Sequence, residues 1–202
     1  AIRHLSTGGA LYSWANETGF GFTYPPVAAL ILQPLTWGSP ALVGRIWLVL
    51  SLVAAVAAVA LIVRRLSPAH SVLGRAALYL ACVGLFAGAA QVQSDLITGQ
   101  INIFLAVMLI LDIGGYTRRT RGVLTGLAAA IKLTPLIAVA WFVATRQWRA
   151  AAISSATFVA ATLVGWITCP RDSLDYWTRA VRDTSRVGQL DLPMNASVLG
   201  TL

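Results

Sequence analysis

The sequence predicts an all-α, polytopic transmembrane helical bundle, and three observations predict it. Hydrophobic residues make up 57% of the 202 and charged residues only 11%, less than half the charged share of a soluble domain. Mean hydropathy is +0.75. Five apolar runs follow one another along the chain, separated by short polar segments, and four of them approach or exceed the ~20 residues that a helix needs to cross hydrocarbon.

The elements can be justified in order. Residues 1–40 read as an outer loop with an interfacial helix, because Val27 to Trp37 is apolar but too short to span. Pro25-Pro26 starts that helix, since a missing N–H costs nothing in a first turn. Ala41 to Val63 is the clearest span and stops at Arg64-Arg65; Ala76 to Val92 is the second and Ile101 to Ile113 a short third. Gly122 to Ala144 carries Lys132-Leu133-Thr134-Pro135 at its centre, where proline removes a hydrogen bond and clashes with the preceding turn. A broken, re-entrant helix is expected there. Ala150 to Cys169 is the last span. The count is about four to five spans.

Residues 170–202 form an outer tail in which Leu174, Trp177, Ala180 and Val181 fall on one helical face, the pattern of an interfacial amphipathic helix. The whole chain reads as one membrane domain, 41–169 being its transmembrane part, and as an internal fragment of a longer protein.

Charge sets the orientation. The 15 basic residues outnumber 7 acidic ones for a net +8. Nucleic-acid binding would need those cations on a soluble polar face, which this composition lacks; short cytoplasmic loops collect them instead. Arg64, Arg65 and Arg75 flank one such loop and Arg118, Arg119 and Arg121 fill another, whereas Gln93 to Gln100 has Asp95 and no cation. Arg146 and Arg149 join the cytoplasmic set if 122–144 is re-entrant. Cys82, Cys169, His4 and His70 show no metal-ligand spacing, and no metal or cofactor is expected.

The unusual polar groups then cluster outside: Tyr24-Pro25-Pro26, Gly99-Gln100-Ile101-Asn102 and Asn195-Ala196-Ser197. They can line a site for a hydrophilic headgroup, or simply cap helices. Lys132 is the only lysine. At membrane depth an ammonium needs a cavity or a partner. A lipid phosphate suits it, and a structural pair with a carboxylate such as Asp112 is the alternative. Deprotonating a hydroxyl needs a positioned base; Glu17 and Asp95 are weak candidates by position, since most surface carboxylates are only solvated charge.

These motifs, in this order, resemble the integral-membrane glycosyltransferases of family 87, of the GT-C type. The resemblance is carried by Gly9-Ala10-Leu11-Tyr12, Phe22-Thr23-Tyr24-Pro25-Pro26, Gly99-Gln100-Ile101-Asn102, Lys132-Leu133-Thr134-Pro135-Leu136, Tyr176-Trp177 and Asn195-Ala196-Ser197. It implies a GT-C-like bundle in a bacterial cytoplasmic membrane and a hexose, typically mannose, moved from a polyprenyl-phosphate donor to a lipid-linked or glycan acceptor at the outer face. The donor is a substrate, so no cofactor is implied. The resemblance places the catalytic Asp upstream of Ala1, so neither Glu17 nor Asp95 inherits that role by motif. Tyr24, Gln100, Asn102, Lys132 and Asn195 are the residues expected to bind substrate. One departure is Ala196, where the family usually has Gln. A transporter or flippase, or a noncatalytic membrane subunit, are the competing readings. Transport folds pair interrupted helices in corresponding halves, and the sequence suggests one interruption only.

Overall fold

The computed structural model describes residues 1–15, 21–66, 71–183 and 186; Glu17 and Asn195 lie outside the described residues. Among the described residues the fold is all-α, with a single isolated β-bridge between Ala15 and Gly21. The helices are α1 Ile2–Ser6, α2 Pro26–Leu32, α3 Pro40–Leu66, α4 Val72–Gly88, α5 Ala90–Thr98, α6 Asn102–Ile113, α7 Val123–Ile131, α8 Leu136–Ala144, α9 Trp148–Thr168 and α10 Pro170–Thr178. Two compact units emerge, one of residues 1–37, 130–132 and 159–202, the other of 38–129 and 133–158.

Two of these helices, α3 with 27 residues and α9 with 21, are long and apolar enough to cross a membrane. The total is three if α4 and α5 count as one bent span. Among the described residues the expected four to five is not confirmed, for identifiable reasons. The second apolar run bends by 65° where α4 gives way to α5. The third run makes a helix of only 12 residues. The fourth is cut at residues 132–135 into two nine-residue helices, as Pro135 requires. Helices α4 and α5 therefore supply a second interruption beside the one at Pro135.

In the larger unit, Ser71 caps α4 by accepting from the Gly74 amide at 3.1 Å, satisfying an orphan first-turn donor. Arg64 and Arg65 occupy the last turn of α3, where cations suit the helix dipole. Trp47 of α3 and Phe104 of α6 stack at 4.9 Å between ring centroids. The Tyr116 hydroxyl, beyond the end of α6, donates to the Leu61 carbonyl at 2.7 Å. Helix α7 lies on α9 through glycine: a Cβ at Gly126 would overlap the Ser154 carbonyl and stand 2.6 Å from the Thr157 Cβ. Gly122, at φ +106°, would collide with the Ala150 carbonyl in the same way. Gly122 and Gly126 are thus the two small residues of a small-xxx-small contact.

In the smaller unit, α2 begins at Pro26 as expected and continues as a 3₁₀ turn over Gln33–Thr36. Gly165 of α9 sits close against Val27 of α2. Helix α10 is inside-out relative to a helix in water. Asp172, Ser173 and Tyr176 are buried while Leu174 and, beyond the helix, Val181 are exposed. Of the apolar stripe read from the sequence, Leu174 and Val181 face outward, as on a helix lying on a bilayer surface, whereas Ala180 is buried and Trp177 only partly exposed.

Candidate functional site

The smaller unit gathers motif segments that lie far apart in the chain. The 3₁₀ turn Leu11–Ser13 presents Leu11 and Tyr12, both essentially inaccessible. The Leu11 amide donates to Asp172 Oδ1 of α10 at 2.7 Å across 161 residues. The Tyr12 hydroxyl donates to the Tyr24 carbonyl at 2.7 Å. Around the Tyr12 ring stand Tyr176 at 5.5 Å and Phe22 at 6.0 Å, with Phe22 edge-on to Tyr24 at 5.5 Å. These distances and tilts suit aromatic quadrupoles. Tyr24 in turn faces Lys132, whose Nζ lies 5.5 Å from the ring centroid, within cation–π range.

Two of the expected substrate-binding residues, Tyr24 and Lys132, are therefore adjacent. The break in the helix explains why. Residues 132–135 leave the α-helical ladder between α7 and α8, so Lys132 emerges from a chain interruption and is only half-buried. Asp112, named above as an alternative partner for Lys132, is supplied with other donors. That carboxyl group is fully buried and accepts from the Gly122 amide at 2.9 Å, the Thr125 amide at 2.8 Å, the Thr125 hydroxyl at 3.0 Å and the Thr117 hydroxyl. It caps the start of α7 from α6.

Gln100 and Asn102 lie in the larger unit, with Asp95. The sequence placed Asp95 in a solvated outer loop, and the structure corrects this: residues 90–98 are helical and Asp95 is only 5% exposed. Its Oδ1 accepts from Asn102 Nδ2 at 2.9 Å and from Gln91 Nε2 at 3.3 Å. These donors offset the cost of burying the group. Gly99, at φ +67°, ends α5 in the left-handed conformation, which needs glycine, and the Gln100 amide closes back on the Asp95 carbonyl at 2.9 Å. Gly99-Gln100-Ile101-Asn102 is thus a helix-to-helix corner folded over a buried carboxyl group. Glu17 and Asn195 lie outside the described residues.

Sequence reasoning missed Tyr12, Asp172, Tyr176 and Arg186 as parts of the site. Arg186 donates from Nη2 to the Tyr12 carbonyl at 2.8 Å, its guanidinium lies 5.8 Å from the Tyr12 ring, and its Nε is 3.2 Å from Asp183. Tyr12 and Tyr176 lie in the motifs that carry the resemblance, which was the available signal. For Asp172 and Arg186 no spacing rule would have found the pairing, because both partners are more than 150 residues away. Burial, with Tyr176 and Asp172 as neighbours, pushes the Tyr12 hydroxyl far above its ordinary value. Burial alone pushes Tyr176 up to about 12. Both phenols therefore stay neutral, and Tyr12 acts as a donor.

The chain is thus a helical membrane protein with an aromatic and cationic cluster built from its N-terminal motifs, a broken helix and its C-terminal helix. It belongs to glycosyltransferase family 87, whose profile matches residues 22–202. It is similar to a polyprenol-phosphate-mannose-dependent alpha-(1-2)-phosphatidylinositol mannoside mannosyltransferase of Mycobacterium tuberculosis, 34% identical over 99% of this chain and 49% of that one. A relative of the same description from Mycolicibacterium smegmatis is 32% identical over 99% of this chain and 48% of its own. A polyprenol-phosphate-mannose-dependent alpha-(1-2)-phosphatidylinositol pentamannoside mannosyltransferase from Mycolicibacterium smegmatis is also 32% identical, over 95% of this chain and 47% of its own. The chain spans about half the length of the curated relatives it matches. No solved structure matches it.

Proposed function

We propose that the whole protein transfers mannose from a polyprenyl-phosphate donor to a mannosylated phosphatidylinositol acceptor, at the outer face of the cytoplasmic membrane. The match to family 87 over residues 22–202, together with what the relatives' names say of those proteins, supports the reaction. The observation that carries a site within this chain is the meeting of Tyr24 and Lys132 at the helix break. In an inverting transfer the acceptor oxygen bonds to the anomeric carbon as the bond to the donor's phosphate oxygen breaks. The acceptor's proton passes to a base, and the electron pair leaves with the polyprenyl phosphate. Charge therefore grows on phosphate, and a cation held beside it is worth more in the transition state than before it.

Lys132 fits that role: a compact ammonium on a flexible stem, presented at a chain break and facing a ring that tolerates its charge. Asp95 suits a different role. Its Oδ1 is engaged by Asn102 and Gln91, so it orients the Asn102 amide. Interrupted helices occur in transporters too, and on that feature alone the two classes are equal; family membership favours transfer.

The test is an assay of the whole protein in membranes with polyprenyl-phosphate mannose and a phosphatidylinositol mannoside. Mannose incorporation is expected, and none with a nucleotide-sugar donor. Incorporation only from the nucleotide sugar would overturn the donor class. Lys132→Ala is expected to raise the donor KM and lower kcat, together by ~10-fold or more; unchanged kinetics would remove Lys132 from the site.

A further inference from the structure

The larger unit also holds a concentration of arginine that the transfer reaction does not use. One cavity, of about 440 Å³, is lined by Arg65, Gly114, Gly115, Arg118 and Arg121. A second, of about 370 Å³, is lined by Arg118, Arg119, Arg121, Arg146, Trp148 and Arg149 among others. Arg118 and Arg121 belong to both. Among the described residues none of these six arginines forms an ion pair; the pairs present are Arg179 with Asp175 and Arg186 with Asp183. Asp112, the carboxyl group closest in sequence, spends its oxygens on Thr117, Gly122 and Thr125.

The cluster is organised as well as charged. Arg121 donates from Nε to the Asp112 carbonyl and from Nη2 to the Ile113 carbonyl, each at 2.9 Å, and lies 5.6 Å from the Phe142 ring. Its guanidinium plane is held and still has donors to offer. Arg149 reaches the Arg119 carbonyl at 3.4 Å. Arg146 sits at φ 57°, the one non-glycine residue with positive φ among those described; this left-handed region favours glycine. A cationic side chain thus occupies a backbone position that an uncharged residue without a Cβ would fill more easily. Arg65 stands in the last turn of α3, a helix long and apolar enough to span. The cavity it lines therefore lies at the end of that helix, where a spanning helix would reach headgroup depth.

We propose that this arginine cluster, which shares no residue with the Tyr24–Lys132 cluster, binds the phosphate of an anionic phospholipid. Guanidinium forks match phosphate oxygens in pairs, and basic pockets at the ends of spans recruit anionic headgroups. A bound phosphate relieves the mutual repulsion of six uncompensated cations. The lipid, not free phosphate, is the occupant, because the cluster closes the end of an apolar helix whose flank would lie against acyl chains.

The test is titration of the whole protein in neutral detergent with phosphatidylglycerol and, separately, with phosphatidylcholine, followed by native mass spectrometry. Arg118→Gln is the first variant, since Arg118 lines both cavities and makes no intramolecular hydrogen bond among the described residues; Arg65→Gln is the second, and Arg75→Gln, outside both cavities, is the control. Each of the first two is expected to weaken phosphatidylglycerol binding about fivefold, leaving phosphatidylcholine binding unchanged. Arg75→Gln is expected to change neither. An equal loss in Arg75→Gln, or no loss in the other two, would overturn the site. Displacement of the lipid by millimolar inorganic phosphate would keep a phosphate site and overturn the lipid as its source.

Discussion

The Tyr12 hydroxyl donates to the backbone carbonyl of Tyr24 at 2.7 Å, so the residue that faces Lys132 is held at its main chain by the N-terminal motif. The Leu11 amide, one residue earlier, is held by Asp172. These two hydrogen bonds, with that from Arg186 to the Tyr12 carbonyl, tie together segments that share no local structure.

Tyr12→Phe keeps the ring contacts with Phe22 and Tyr176 and removes only the hydroxyl. The Tyr24 carbonyl is then left without that donor in a part-buried setting, at a cost of about 1–2 kcal/mol. Thermal unfolding in detergent should show the loss. The donor KM should rise as well, since Tyr24 would no longer be fixed opposite Lys132.

The buried phenols make stability sensitive to alkali. Tyr176, ordinarily near 10.0, is raised to about 12 in the fold, and Tyr12 is raised further. A group that holds its proton more tightly when folded contributes its full stabilisation below the unfolded pKa. That contribution is then lost as pH rises through about 10 toward 12 and beyond. Unfolding midpoints should fall over this window. Absorbance of the phenolates should show two tyrosines resisting ionisation until the protein unfolds, and Tyr176→Phe should flatten the fall.

Asp112→Ala should destabilise the protein far more than an exposed carboxyl substitution. It strips the acceptor from the Gly122 and Thr125 amides and from the Thr117 and Thr125 hydroxyls. Leaving several buried donors unpaired costs about 3 kcal/mol or more. Loss of expression in the membrane together with a lowered midpoint in detergent is expected, and an unchanged midpoint would contradict the cap.

Gly126→Leu should separate α7 from α9, because even a Cβ there overlaps the Ser154 carbonyl and crowds Thr157. Overpacking of this kind costs about 1–3 kcal/mol. Gly84→Leu, at a position where a Cβ meets nothing within 4 Å, is the comparison. Its midpoint should move little.

Several elements could be read from composition and periodicity because they are local. The long apolar stretch ending in Arg64-Arg65 became α3, Pro25-Pro26 opened α2, and Pro135 broke the fourth run beside Lys132. What escaped was set by neighbours. The segment around Asp95 looked like a polar loop, yet it is helical, because Asn102 and Gln91 supply the donors that make a buried carboxyl group tolerable. Gly122 and Gly126 gave no signal in the sequence reading, because only the approach of α9 makes their missing Cβ atoms necessary.

The sequence by itself determined that this chain is a helical membrane protein of a definite family, with a break at Pro135 and charged ends in stated places. Hydrophobic runs, prolines and arginines act over a few residues and need no partner to be understood. Only the tertiary structure decided that Tyr12, Tyr24, Asp172 and Tyr176 share one cluster, that Lys132 faces Tyr24, that Asp112 caps α7, and that six arginines line two adjoining cavities. Some of these contacts join segments more than 150 residues apart and others cross a turn of about a dozen residues, and in each it is packing, not any spacing along the chain, that brings the partners together.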